Sequence, residues 1–296
     1  MKKPFGSRGG MITFNPDLVE DLANRKAVIF LGAGVSTAAK TSKGNEFKSW
    51  EEILSLGSDF IEDVDLKLVT KELISRKDFL VACEIIKVEL GEKWIDIITS
   101  EFSKTAKPSD LHNAIFALDQ RIIITTNFDK LIENFHSSLS ADKDEYPIVV
   151  PRVDAKIFKM LRDNRDYIIK LHGSIDEADK VTFDKGSYND NAYGNPFYSE
   201  LLKTLLLTHT FVFIGFSMDD PAINSVVELY AHQFSDVRPH CIFIGKKLPR
   251  RVKEVWKTYK KLYILEYDPK NNHKALASNL KKLAEEVKKK RNLLKP

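Results

Sequence analysis

The sequence predicts an α/β protein built on a doubly wound, mostly parallel, Rossmann-like sheet, and two patterns carry that prediction. One is Ala27-Val28-Ile29-Phe30-Leu31, continuously apolar and leading straight into Gly32-Ala33-Gly34. A strand buried on both faces reads this way, without the alternation of a half-exposed strand. The other is the succession, from residue 121 onward, of short β-branched runs and segments with helical periodicity, the pattern of βαβ units. With 296 residues, 43% hydrophobic and 30% charged, the chain can bury one large core, or a core plus a small accessory lobe.

In chain order, Asn15-Pro16-Asp17 starts a helix, with Asn as the cap, Pro in the first turn, and Leu18, Val19 and Leu22 on the buried face. The strand 27–31 follows. Its two glycines and the small residues after them suit a backbone that approaches an anion, with Val35 to Ala39 opening a helix behind it. The third glycine of the dinucleotide fingerprint is replaced by Thr37, so the stretch alone also fits a plain strand-to-helix turn. Thr41 to Asn45 is polar and reads as a mobile loop over a ligand. Four helices are expected at Trp50–Phe60, Leu66–Ser75, Phe79–Leu90 and Trp94–Phe102, from apolar residues at three-and-four spacing. They form a helical insertion, assigned to residues 45–110. Pro108, Ser109 and Asp110 then cap a helix over Leu111–Leu118.

Strands are expected at Arg121–Thr126, Tyr167–Leu171, Phe211–Ile214, Cys241–Ile244 and Leu262–Glu266. Helices separate them at Phe197–Leu207, Pro221–Gln233, Arg250–Thr258 and Lys274–Lys289. The whole chain, 1–296, reads as a single domain ending in a basic helix over 271–296. Residues 246–296 hold 17 Lys and Arg against 5 Asp and Glu, an excess of +12, while the rest of the chain holds 29 against 37, a balance of −8. Leu276, Leu280, Leu283 and Val287 interleave with those lysines at helical spacing. The segment therefore reads as the solvated face of a terminal helix, able to meet an acidic partner, in preference to a nucleic-acid surface. Neither a secretory signal nor a membrane span is legible. Cys83 and Cys241 lie far apart in apolar sequence, which fits buried thiols of a cytoplasmic protein and leaves no thiolate set for zinc.

In an open parallel sheet, ligands bind outside the carboxyl ends of the strands. Four such ends are polar: Gly32-Ala33-Gly34-Val35-Ser36, Thr126-Asn127-Phe128-Asp129, His172-Gly173-Ser174, and Gly215-Phe216-Ser217-Met218-Asp219-Asp220. Each has a plain structural alternative. Asn127 or Asp129 would cap the next helix, His172 would sit satisfied at a turn, Gly215 would serve packing, and Asp219 and Asp220 would be an N-cap pair. His112 reads as a core or capping histidine. Coincidence of all four at one sheet edge exceeds what capping requires.

GAGVS at 32–36, TTNFD at 125–129, LHGS at 171–174 and FIGFSMDD at 213–220, in that order, resemble the sirtuin fold. Specifically they resemble its bacterial sirtuin-like branch, whose members destroy NAD in anti-phage defence. The likeness runs from about Val28 to Tyr267 and includes Trp50, Val181-Thr182-Phe183, Tyr188 and Asp219-Asp220-Pro221. Two departures separate the chain from deacylating sirtuins. No cysteine, hence no zinc ribbon, lies between Gly173 and Phe211, and Gly44-Asn45-Glu46-Phe47-Lys48 replaces their Pro-Asp-Phe-Arg stretch.

The resemblance implies a zinc-free, sirtuin-like NAD+ hydrolase that uses NAD as substrate, needs no metal, and yields nicotinamide and ADP-ribose. By the same resemblance Gly32, Ala33, Gly34 and Ser36 hold the pyrophosphate, and Gly215 and Ser217 line the adenosine ribose side. Asn127 orients the nicotinamide ribose and the attacking water, Asp129 binds the carboxamide region or holds Asn127, and His172 takes a proton. A zinc-less NAD-dependent deacylase and a non-catalytic NAD- or ADP-ribose-sensing subunit are the alternatives. An NAD-depleting effector without a sensor domain implies control by homo-oligomerisation, or by a separately encoded ring-forming ATPase or nucleic-acid-sensing partner.

Overall fold

A computed structural model describes residues 12–41, 47–139, 146–234 and 236–294. Its strands are β1 (Ala27–Leu31), β2 (Lys40–Thr41), β3 (Ala106–Lys107), β4 (Ile122–Thr125), β5 (Ile148–Val150), β6 (Tyr167–Lys170), β7 (Thr210–Ile214), β8 (His240–Ile244) and β9 (Leu262–Glu266). Seven of them form one sheet in the order β5-β6-β4-β1-β7-β8-β9, and every neighbouring pair is parallel. Successive strands are added on one side of β1 and then on the other, so the strand order reverses at β1. β2 and β3 make a separate two-residue antiparallel pair.

The continuous apolar runs are explained by burial on both sheet faces. Val28 and Phe30 of β1, with Ile122 and Ile124 of β4, pack against Leu201, Leu205, Val226 and Tyr230 of the helices Pro196–Thr208 and Pro221–Gln233. Ala27, Ile29 and Leu31 point to the other face. There they join Leu22, Ile115, Leu280 and Leu283 from the helices Pro16–Ala23, Asp110–Phe116 and Lys270–Leu294. Side chains alternating across a strand thus feed two cores. The first helix begins as its sequence implies, with the Asn15 side chain accepting from Asp17 N at 3.0 Å and Pro16 in the first turn.

The four helices before β3 span Trp50–Asp59, Val64–Ser75, Phe79–Leu90 and Glu92–Phe102. They build a third apolar cluster of their own, which closes on Phe128, Ile175, Val181 and Phe183. Trp50 meets the edge of Phe183 at 4.5 Å and Trp94 stacks on it at 5.7 Å. Lys87 pairs with Asp184 at 2.9 Å, and Glu84 accepts from Gly186 N at 2.8 Å. The helices therefore grip the segment that follows His172.

Several features differ from the sequence reading, the β2–β3 pair among them. β5 was not expected: three residues after Pro147 are too few to show a period, and the strand forms because an open edge of β6 is there to pair with. In the terminal helix, Asn271, Asn272 and His273 have φ between 52° and 57°, so regular helix begins only at Lys274. Of the Thr41–Asn45 loop, Thr41 belongs to β2 and the remainder lies outside the described residues. Cys83 and Cys241 are both buried, in different clusters. Among the described residues, no helix is long and apolar enough to cross a membrane.

Candidate functional site

β1 and β7 meet at their carboxyl ends backbone to backbone. Gly32 N donates to Ile214 O at 3.1 Å and Gly34 N to Gly215 O at 3.0 Å. A Cβ at Gly32 would lie 2.4 Å from Gly215 O, and one at Gly215, where φ is +63°, would lie 2.7 Å from Val35 N. The glycines therefore answer first to each other: their missing side chains admit the neighbouring turn. The face that the turn shows to solvent is made by Ala33 and Gly34, both exposed.

From the short helix Ala33–Ser36 the Ser36 side chain turns inward to the end of β4. Its hydroxyl donates to Asp129 Oδ2 at 2.7 Å and accepts from Asn127 Nδ2 at 2.8 Å. Asn127 Nδ2 also donates to Gly32 O at 3.1 Å, so both of its amide hydrogens are committed. What the Asn127 side chain can still offer a ligand is the Oδ1 acceptor. Asp129 does cap the next helix, accepting from Leu131 N at 3.0 Å, while its second oxygen holds Ser36. Burial pushes the Asp129 carboxyl up, more than Ser36, the Leu131 N–H and the charge of Lys170 bring it down.

His172 follows β6, the strand beside β4, and is 3% exposed. Its Nε2 lies 3.3 Å from Asp220 Oδ2 and 3.5 Å from the Tyr198 hydroxyl. Its Nδ1 is buried and has no hydrogen-bond partner. Asp220 is the N-cap of Pro221–Gln233, accepting from Ile223 N at 2.9 Å, and the Tyr188 hydroxyl donates to the same oxygen at 2.6 Å. Burial pushes the Asp220 carboxyl up, but the hydrogen bond and charge of His172, with the Ile223 and Tyr188 donors, outweigh it and hold Asp220 below the ordinary carboxylate range. Burial beside that carboxylate raises both tyrosine hydroxyls, so they remain protonated donors.

These contacts close a circuit over four strand ends. β7 joins β1 through the glycine backbones, β1 joins β4 through Ser36, and β4 joins β6 through Ile175 N, which donates to Phe128 O at 2.9 Å. β6 returns to β7 through His172 and Asp220. That last link is long-range, since β6 and β7 stand three strand spacings apart, about 14 Å. Ser217 is exposed on the β7 side of the circuit. Gly32, Ala33, Gly34, Ser36, Asn127, Asp129, Gly215 and His172 thus come to one edge of one sheet.

A model of the SIR2-like domain matches residues 121–264, which include the ends of β4, β6 and β7. Over that stretch, just under half of its length, the chain resembles the SIR2-like family. It is 28% identical over 222 residues to defense-associated sirtuin 2 of Bacillus subtilis, covering 71% of this chain and 20% of that protein. It is 27% identical over 232 residues to the NAD(+) hydrolase ThsA of Cytobacillus dafuensis, covering 78% of this chain and 43% of that one. The chain therefore spans less than half the length of these relatives. A crystal structure of a Sir2 homolog–NAD complex aligns with a TM-score of 0.49 at 14% identity, over 96% of this chain and 98% of that one.

At these strand ends two participants escaped the sequence reading. Asp220 was legible as an N-cap, which it is, but not as the carboxylate that reaches His172. Lys170 was hidden inside the run Tyr-Ile-Ile-Lys, although a lone cation in a strand buried on both faces is a signal in itself. His112 is a capping histidine. Its Nδ1 meets the Ser109 hydroxyl at 2.7 Å, and burial lowers its pKa to about 4. Between Gly173 and β7 the chain forms the 3-10 turn Ile175–Lys180, the helix Lys185–Tyr188 and the π-turn Asn189–Tyr193, then enters Pro196–Thr208. This segment delivers Tyr188 and Tyr198 to His172.

Proposed function

We propose that this chain cleaves NAD+ with water to nicotinamide, ADP-ribose and a proton, as the NAD-depleting effector of an anti-phage defence system. The observation that carries the reading is the closed circuit of buried polar contacts at the strand ends, which leaves an acceptor on Asn127 and a histidine held by a carboxylate. The names of the relatives point the same way.

Nicotinamide bound to ribose is a cationic leaving group, so its departure needs no acid. It needs a nearby acceptor for the ribose hydroxyls, a placed water, and a base for the proton that the water sheds. Asn127 Oδ1 accepts from a ribose hydroxyl or the water, with its orientation fixed by Ser36 and Gly32 O. Holding the reactants in this way is the larger part of the rate enhancement. His172 takes the proton, with the Asp220 carboxylate 3.3 Å from its Nε2 holding the ring in place. Asp129 keeps Ser36 and hence Asn127 in register. The exposed Ala33–Gly34 face takes the pyrophosphate, and Gly215 and Ser217 border the adenosine ribose.

Residues 1–296 act on this reading as one NAD-binding unit, with 45–110 as its helical insertion and 271–296 as a basic segment, helical from Lys274, for an acidic partner. The protein works in the cytoplasm as a homo-oligomer, with activity gated by assembly or by a separately encoded ring-forming ATPase or nucleic-acid-sensing protein. The test is incubation of the purified chain with NAD+ over a range of protein concentrations, followed by separation of the products. Equal amounts of nicotinamide and ADP-ribose, lost in Asn127→Ala, are expected. Turnover of an acyl-lysine peptide, or tight NAD+ binding without cleavage under every condition, would overturn it.

A further inference from the structure

The β6 strand ends in a lysine that the chemistry above does not use. Lys170 is fully buried, with 0% of its side chain exposed. Its ammonium donates to Phe128 O at 3.0 Å, to Asp129 O, and to Glu133 Oε1 at 2.8 Å, which satisfies all three hydrogens. Two of those acceptors are the backbone carbonyls of the turn that carries Asn127 and Asp129. The third lies on the first turn of the helix Leu131–Leu139 that follows it. Glu133 is itself 8% exposed, and its second oxygen is buried without a partner.

A buried ion pair is an expensive way to join two elements. Desolvation costs several kcal/mol per ion, and apolar residues of the same volume are often as stable. A methionine would fill the space of Lys170. It could not hold two carbonyls of adjacent residues on one side of a turn, which a compact ammonium with three donors does. The carbonyl groups of Phe128 and Asp129 are neighbours in sequence, and drawing both onto one cation fixes the peptide between them. That peptide sets where Asn127 lies on one side and where the Asp129 carboxylate lies on the other. The carboxylate in turn holds Ser36, and Ser36 holds the Asn127 amide.

We infer that Lys170 is a positioning residue of the site: with Glu133 as counter-ion, it clamps the 127–129 turn so that Asn127 presents Oδ1 to the ligand. This rests on the reading of Asn127 as the residue that orients the reacting ribose. The clamp itself is a property of the turn that can be measured without turnover.

The test compares the unaltered chain with Lys170→Met and with Lys170→Met/Glu133→Leu, which removes both charges so that no buried carboxylate is orphaned if the single variant fails to fold. Two quantities are read well below each variant's melting temperature. One is the steady-state rate with NAD+. The other is the hydrogen exchange of the Asn127 side-chain amide by NMR, an amide that in the intact site is bonded to Gly32 O and Ser36. The clamp predicts that kcat falls about thirtyfold or more, that KM moves less than about threefold, and that the Asn127 amide exchanges at least tenfold faster. A folded variant with an unchanged Asn127 amide overturns the inference whether or not kcat falls, because any loss then does not pass through the turn. If the intact protein cleaves no NAD+ but its Asn127 amide responds to the substitution, the clamp stands and the hydrolase reading fails.

Discussion

The two ends of the same parallel sheet both bury polar side chains and use them in different ways. At the amino end, Gln120 accepts from Ala27 N at 3.2 Å and donates to Leu22 O and Leu118 O at 2.8 and 2.7 Å. Arg291 of the terminal helix reaches Ala23 O at 3.1 Å and Leu22 O at 3.1 Å, and pairs with Asp119 at 2.6 Å. Those carbonyls belong to the last turns of the helices Pro16–Ala23 and Asp110–Phe116 or to the residues just beyond them, where helices leave acceptors unpaired. The amino end is thus occupied with finishing secondary structure. At the carboxyl end buried side chains also pair with one another: Ser36 with Asn127 and Asp129, His172 with Asp220, and Asp220 with Tyr188. There Asn127 Oδ1 takes no part in the bonds that hold its amide, and His172 Nδ1 is buried without a hydrogen-bond partner, as His240 Nε2 is at the amino end.

Removing one amide from each end separates the two uses most strongly. Asn127→Ala should lower NAD+ cleavage by on the order of a thousandfold, with a loss of only about 1 kcal/mol in urea unfolding. Gln120→Ala should do the reverse. It should cost about 3 kcal/mol, because several buried backbone groups lose their partner together, and leave kcat unchanged below its melting temperature. If both variants lose activity and stability in parallel, the two ends are not different in kind.

Next in size is the histidine pair of the carboxyl end. His172→Ala should reduce kcat about a hundredfold, as for loss of a general base. Asp220→Asn should reduce it about tenfold, with little change in melting temperature, since asparagine caps a helix as well as aspartate does. Full activity in Asp220→Asn would mean that Asp220 serves the helix alone, and would return it to the role its sequence context suggests.

That case shows where sequence legibility ends. The strands and helices were readable because a strand buried on both faces and an amphipathic helix impose their own periods, and the four polar strand ends were readable because a parallel sheet aligns its carboxyl ends. The partners of those ends were not. Asp220 meets His172 across three strand spacings, and its caps-a-helix signature, Asp-Pro, was complete without that contact. The packing of Gly215, whose Cβ direction is filled by the Val35 backbone, was not legible either. Lys170 would have been found only by asking what a lysine does inside an apolar strand. Pairings between side chains of distant strands carry no period, so only the folded geometry displays them.

The smallest effect tests the amino end through its own histidine. His240 opens β8, is 1% exposed, and accepts from Phe211 N at 3.1 Å through Nδ1, while Nε2 is buried without a partner. Unlike His172 it has no carboxylate beside it, and burial lowers its pKa from 6.5 to about 3. The folded protein therefore keeps His240 neutral where the unfolded chain would protonate it. Stability from this group is complete above pH 6.5 and is lost as the pH falls toward 3, since the unfolded state binds the extra proton throughout that window. Between pH 7 and pH 5 the loss should be about 2 kcal/mol. His240→Asn keeps an acceptor for Phe211 N but cannot titrate, so urea unfolding of that variant should show an acid sensitivity smaller by about this amount, with kcat at pH 7 unchanged. An identical pH dependence in variant and parent would mean that His240 is protonated in the fold, and that the amino end holds a charge with no partner in place of a spent hydrogen bond.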